Sequence, residues 1–327
     1  MRVLITGSSG QIGTNLALRL QQEGHFVFGV DIRPNTWTEN VTTLLQDLSA
    51  PHADFDGGIG CAKYPDNLDV VVHLAAHAKV HELVQRPDRA LRNICMTFNV
   101  LEFCRQNRVP IIFSSSREVY GDIHRYITEE AHANFAFTES PYSASKIAGE
   151  ALVYSNAQCY KLPYVVFRFS NVYGRYDNDI ERMERVIPLF IRKISSGEQV
   201  TVFGRDKTLD FTYVDDCVDG VRRGIDLLLS GRSKGETINL ACGEGNTLIT
   251  MAQYVGEALG VEPDIRVEPS HVGEVTHYVA DIAKARTLLG YEPKTPLREG
   301  IQKGVDWCTQ WWAAQADNVT PNSYSGH

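Results

Sequence analysis

Residues 2–13 read RVLITGSSGQIG. Val3, Leu4 and Ile5 form an unbroken apolar run, and a glycine-rich turn follows at once. A short apolar run without alternation predicts a strand covered on both faces, the kind found in parallel α/β sheets. Gly7, Gly10 and Gly13 then lead into a segment of helical period. In that setting Gly7 permits a tight turn. Gly10 lets the backbone approach a pyrophosphate at the positive end of the helix, and Gly13 lets helix pack on strand. A glycine loop alone is weak evidence, but Asp31 closes the next apolar run, FVFGV (26–30). A carboxylate there accepts hydrogen bonds from a ribose diol and repels a 2′-phosphate, so NAD is expected over NADP. Arg33 is close enough to compete for that choice.

The same strand type recurs in DVVVHL (69–74), PIIFSS (110–115) and YVVFRF (164–169), with TTLLQDL (42–48) as a weaker third strand. The fold class expected is therefore α/β, a doubly wound parallel (Rossmann) sheet over residues 1–170. Beyond residue 170 the loops lengthen. A helix is predicted over 181–197, ending at Gly197, then a strand over 199–204, a helix over 213–231 and a strand over 237–241. Residues 211–245 are expected to return to the first domain. Residues 171–210 and 246–315 would form a smaller C-terminal α/β substrate lobe, and 316–327 a tail. Trp307, Trp311 and Trp312 on the last helix predict packing.

The chain has 327 residues, 43% apolar and 22% charged, with a formal net charge of -8. That charge argues against a general nucleic-acid binder. The seven cysteines are scattered without a C-x-x-C pair, which suits reduced thiols in a cytoplasmic protein. MRVLITG enters a strand directly, so no signal peptide is expected, and no apolar run approaches the ~20 residues that span a bilayer. His73, His77 and His81 recur every four residues, but His73 ends a strand, so a shared metal face is not expected.

SPYSASK (140–146) places Tyr142 and Lys146 one helical turn apart. A phenol with its ordinary pKa of ~10 is a poor base at neutral pH. A neighbouring ammonium and a cationic nicotinamide favour its phenolate. Ser116 stands at the C-terminal end of a predicted parallel strand, where such folds place their chemistry. These residues suit proton removal from a substrate hydroxyl by Tyr142, with Ser116 holding the oxygen and NAD taking a hydride.

GSSGQIG, HLAA, SSSREVYG, YSASK, RFSNVYG, DFTYVDD and GYEP cover nearly the whole chain. As a set they resemble the extended short-chain dehydrogenase/reductase family, in its nucleotide-sugar epimerase and dehydratase branch, and UDP-glucuronate 4-epimerases most of all. The resemblance implies an NAD held through the catalytic cycle, a UDP-sugar in the C-terminal lobe, a transient 4-keto sugar and a homodimer through helices near 89–107 and 140–160. It implies cofactor contacts from Gly7, Gly10, Gln11, Ile12 and Gly13, and from Asp31 and Ile32 after the second strand. Further cofactor contacts implied are Asp47, Leu48, Leu74, Ala75, Ala76, Tyr142 and Lys146.

Dehydratases of this branch carry an Asp-Glu pair after the catalytic Thr. Here Arg117 replaces the Asp, and a guanidinium cannot act as that acid. Decarboxylases use an arginine before the DF of DFTYVDD, where this chain has Leu209. These departures leave C4 epimerisation, with UDP-glucose 4-epimerase, UDP-glucuronate decarboxylase and a non-catalytic NAD-binding regulator as alternatives. The resemblance further implies substrate contacts from Ser116, Asn171, Thr201, Phe203, His271 and Tyr278, with Arg205 and Lys207 as substitutes for missing phosphate arginines. Arg117 either contacts substrate or pairs with a neighbouring acid. Arg192 occupies a helix position where uronate epimerases carry a cation, and it is expected to hold a sugar carboxylate.

Overall fold

The computed structural model describes residues 1–50, 64–65, 67–121, 130, 135–177, 185–270 and 276–318. The first half alternates strand and helix: β1 (Arg2–Thr6), α1 (Gln11–Gln22), β2 (Phe26–Asp31), β3 (Thr43–Leu45), β4 (Val70–His73), α2 (Val80–Gln85), α3 (Asp88–Asn107), β5 (Ile111–Ser116), α4 (Pro141–Tyr160) and β6 (Tyr164–Phe169). Then come β7 (Asn171–Tyr173), α5 (Val186–Ser195), β8 (Val200–Phe203), β9 (Thr208–Tyr213), α6 (Val214–Leu229), β10 (Gly235–Leu240), β11 (Gly245–Thr247), α7 (Leu248–Leu259), β12 (Ile265–Glu268), β13 (His277–Tyr278), α8 (Ala283–Leu289) and α9 (Leu297–Asn318).

Seven strands pair in the order β10-β6-β5-β4-β1-β2-β3, and every pairing is parallel. Chain order reverses between β1 and β4, so a crevice opens at the C-terminal ends of those strands. Gly7 and Leu74 lie at its two lips. Val3, Ile5, Val70, Val72, Ile112 and Phe167 are fully buried, as strands covered on both faces require. The third strand is shorter than its apolar run suggests. Leu44 and Leu45 are exposed on an edge strand, and pairing stops at Leu45, opposite Asp31, where β2 itself ends; beyond it the Asp47 carboxylate accepts from Ser49 N and Oγ. Smaller sheets hold β7, β9, β11 and β13, and separately β8 with β12.

Two features fix where α4 sits. Ser140 caps it, accepting from Ser143 N at 3.2 Å, while Ser143 Oγ accepts from Ser140 N and Pro141 opens the first turn. On its inner face, a side chain at Gly149 would run into the Phe113 ring of β5. The helix therefore lies unusually close to the strand that ends in Ser116.

A charged pair is buried beneath this contact. Arg168 of β6 and Glu150 of α4 are each 2% exposed. Arg168 Nε donates to Glu150 Oε1 at 2.8 Å and Nη2 to Oε2 at 2.7 Å, a two-pronged contact. Ser115 Oγ donates to Glu150 Oε1 at 2.6 Å, and Tyr154 Oη to Oε2 at 3.0 Å. The Arg168 guanidinium lies 4.7 Å from the Tyr120 ring centre, and Tyr120 Oη donates to Asn239 Oδ1 at 2.6 Å. Burial works against the Arg168 charge, but Glu150 and Tyr120 more than restore it. Removing one member leaves the other unpaired. Glu150→Gln is expected to cost roughly 3–5 kcal/mol, whereas Glu150→Leu with Arg168→Met costs far less. Denaturant titrations of both variants measure the difference.

Candidate active site

Ser116 ends β5 and Tyr142 lies in the first turn of α4. Both are 8% exposed. The Ser116 side chain lies near enough to the Tyr142 phenol to favour its ionised form, and Ser116 Oγ accepts from Glu118 N at 3.2 Å. Lys146 stands one turn after Tyr142 and is buried. Its Nζ donates to Ser114 O at 2.6 Å and sits 5.8 Å from the Tyr142 ring centre. Burial pushes the Tyr142 phenol up to about 12, with Ser116 opposing the shift. Burial also pulls the Lys146 ammonium down to about 8, against the pull of Glu150. By itself this pocket holds a neutral phenol. It becomes a base when a positive charge arrives beside it.

The glycine loop fits a dinucleotide. A Cβ on Gly7 would lie 2.7 Å from Ala75 N, and one on Gly13 would strike the Gly7 carbonyl. At Gly10 the single close neighbour is that carbonyl, at 3.2 Å, and no side chain caps α1 there. The first-turn N–H groups are left for an anion. Asp31 Oδ2 accepts from Ser9 N and Oδ1 from Arg33 N, both at 3.0 Å. The carboxylate is thus aimed by the loop it serves, while the half-exposed Arg33 guanidinium stays 4.0 Å away. The Gln11 side chain is spent on Gly174 O at 2.8 Å, so its backbone N–H is what remains for a phosphate. Ile12 follows it in α1, and Ile32 is exposed beyond Asp31. Leu48 is buried, and Ala75 N donates to Thr6 Oγ1 at 3.2 Å, which places Leu74, Ala75 and Ala76 along the crevice. His73 is buried between Thr6 Oγ1 at 2.7 Å and Thr97 Oγ1 at 3.3 Å, so burial and these partners account for it.

Arg117, the residue after Ser116, is 13% exposed and pairs with Glu118 at 3.0 Å. Its Nη2 donates to Asn171 Oδ1 at 3.3 Å, and its guanidinium lies 5.4 Å from the Tyr278 ring centre. Asn171 Nδ2 donates to Asp210 O at 2.8 Å. Tyr278 is 1% exposed, and its hydroxyl has no hydrogen-bond partner among the described residues. Opposite it in the β13–β9 register stands Leu209, also buried. Serine, phenol, guanidinium and amide thus meet at one end of the sheet.

Other expected substrate residues are placed differently. Thr201 and Phe203 share the half-buried face of β8, with Val200 and Val202 turned into the core. Arg205 is exposed, and His271 lies outside the described residues. Arg192 does not join the site. α5 buries Ile187, Phe190, Ile191 and Ile194, which turns Arg192 to the exposed side. Its guanidinium has no partner among the described residues. Three residues near the site escaped the sequence reading. Asp210 is buried and accepts from Cys242 N at 3.0 Å, Gly243 N at 2.9 Å and Ala280 N at 3.3 Å. Burial nevertheless pushes its carboxyl up to about 6. Glu150 and Arg168 carry the same signal, a charge within an apolar stretch.

A parallel sheet with this crevice and a Ser-Tyr-Lys set define an NAD-dependent enzyme of the extended short-chain dehydrogenase/reductase type. The chain belongs to the NAD dependent epimerase/dehydratase family, whose model matches residues 3–241. It is 27% identical over 326 residues to an uncharacterized UDP-glucose epimerase, YtcB, of Bacillus subtilis, covering 96% of this chain and 100% of that one. It is 27% identical to a probable UDP-glucuronate 4-epimerase of Rhizobium meliloti, covering 95% and 97%. A solved structure of MoeE5 with UDP-glucuronic acid and NAD superposes with a TM-score of 0.81 at 27% identity, over 95% of this chain and 100% of that one.

Tyr142→Phe removes the proton acceptor and little volume. It is expected to lower kcat by ~10² or more while NAD binding is kept. Steady-state kinetics beside a dinucleotide titration check this, and an active Phe variant rules the phenol out.

Proposed function

We propose that the chain is a UDP-sugar 4-epimerase that interconverts UDP-glucuronate and UDP-galacturonate. Bound NAD supplies the hydride acceptor and donor. Ser116 holds the sugar O4 and Tyr142 takes its proton. The 4-keto sugar turns over in the lobe formed by 171–210 and 246–315, and Tyr142 returns the proton to the product hydroxyl. Lys146 keeps positive charge near the phenolate.

One observation carries the choice of sugar: the guanidinium of Arg117, the residue after Ser116, reaches Asn171 and Tyr278 and is paired with Glu118, a contact that a substrate carboxylate would share or replace. A sugar with O4 on Ser116 and Tyr142 has C5, which bears the C6 group, as the neighbouring carbon. A permanent cation next to that position favours a carboxylate there. The same grip serves fidelity. Oxidation of a uronate at C4 creates a β-keto acid, which loses CO2 when the carboxylate bond aligns with the ketone. A guanidinium fork that fixes the carboxylate plane prevents that alignment. The role expected of Arg192 thus passes to Arg117, and the likeness to a probable UDP-glucuronate 4-epimerase of Rhizobium meliloti and to MoeE5 bound to UDP-glucuronic acid supports the reading.

Purified protein incubated with UDP-glucuronate, UDP-glucose and UDP-N-acetylglucosamine is expected to convert the first to UDP-galacturonate by NMR. Turnover confined to the neutral sugars overturns the assignment. Arg117→Ala is expected to lose roughly 2–4 kcal/mol of transition-state binding on the uronate alone, about 30- to 1,000-fold in kcat/KM.

We also propose a homodimer through α3 and α4. Leu91 is 63% and Phe98 44% exposed. They lie two helical turns apart on one face of α3, as an apolar seam requires. Light scattering should show twice the monomer mass, lowered by Leu91→Glu. A monomeric wild type dismisses the dimer.

A further inference from the structure

An aromatic cluster joins three segments that are distant in sequence. Trp37 lies in the loop after β2, Tyr176 after β7, and Trp307 and Trp311 on α9. Ring centres are 6.1 Å apart for Trp37–Tyr176, 5.6 Å for Trp37–Trp307, 5.7 Å for Trp37–Trp311 and 5.9 Å for Tyr176–Trp307. Tyr176 holds φ at 60°, in the left-handed region that a residue with a side chain rarely adopts. Trp37 and Trp307 both contact that ring; such a conformation persists where its surroundings over-determine it.

The two loops that meet in this cluster also grip the glycine-loop end of α1, each through its own hydrogen bonds. On one side, Asn35 Nδ2 donates to Thr14 Oγ1 at 2.9 Å and to Ser8 O at 3.3 Å, and Ser9 Oγ donates to Arg33 O at 2.8 Å. Asn35 Oδ1 accepts from Trp37 N at 3.0 Å, so the indole and this grip are coupled within a single turn. On the other side, Gln11 Nε2 donates to Gly174 O at 2.8 Å and Asn15 Nδ2 to Arg175 O at 3.2 Å. The Trp37–Tyr176 contact joins these two loops, and α9 backs the joint. The result is a closed band around the helix end where a dinucleotide pyrophosphate would rest.

We infer that Trp37, Tyr176, Trp307 and Trp311 form a clasp that keeps NAD bound between catalytic cycles. They are positioning residues, acting through Asn35 and Gly174 and not by contact with reacting atoms. The use of such a clasp rests on the epimerase reading, because an enzyme that returns the hydride it removed cannot release its reduced cofactor halfway. Its existence does not rest on that reading, since dinucleotide release is measured without any sugar.

The test is release of bound NADH, followed in stopped flow by loss of its fluorescence when excess NAD is added, together with the NAD content of the protein as purified. Trp37→Ala breaks three ring contacts and is expected to speed release about tenfold or more and to empty the purified protein of NAD. Trp37→Phe keeps a ring in place and restores slow release, which loss of general packing does not explain. A folded Trp37→Ala that releases NADH as slowly as the wild type overturns the clasp. If that variant does not fold, Trp311→Ala, which removes ring contacts to Trp37 and Trp307, decides by the same measurement. Unchanged release there overturns the proposal as well.

Discussion

The Arg168–Glu150 pair organises the catalytic end of the molecule. Its two prongs join β6 to α4, Ser115 ties β5 to the same carboxylate, and Tyr154 carries the network to Thr237 of β10. Three neighbouring strands, β5, β6 and β10, are thereby referred to one acid. Ser115 precedes Ser116, and Glu150 lies one helical turn beyond Lys146 and two beyond Tyr142, so this network ties the end of β5 to the helix that carries the phenol and the ammonium. Hydrophobic side chains of equal volume would give comparable stability but no direction. The ion pair gives an angle as well as a distance, and that is what proton transfer needs.

The site works with charges that are costly to bury. Burial favours a neutral Tyr142 phenol and weakens the Lys146 ammonium. A phenol so placed needs an added positive charge, such as a nicotinamide ring, to favour its phenolate. The Gly7 crevice, the aimed Asp31 carboxylate and the aromatic band serve one end in this light. They make the presence of the cofactor a lasting condition of the protein. Arg117 adds a second fixed cation, and the apolar pair of Leu209 and Tyr278 walls it on the far side.

Much of this was legible in the residues. Runs such as DVVVHL and YVVFRF announce a sheet buried on both faces, and the Ser116–Tyr142–Lys146 set follows from spacing and strand ends. The third strand read too long because its own apolar content does not reveal where its partner β2 ends, at Asp31 opposite Leu45. Arg192 stands exposed on α5, and the sequence carries the signal for that. Ile187, Ile191 and Ile194 mark the core side of α5, and residue 192 falls off that stripe. Glu150, Arg168 and Asp210 were visible as charges inside apolar segments, but their partners come from other strands and emerge only when the chain is folded.

Gly149 shows how a missing side chain can govern catalysis. The approach of α4 to β5 depends on there being nothing between the helix backbone and the Phe113 ring. A side chain at that position would force the Phe113 ring or the helix to shift, and Tyr142 and Lys146 ride on that helix. A single hydrogen atom at residue 149 thus sets how near the sheet their helix can lie.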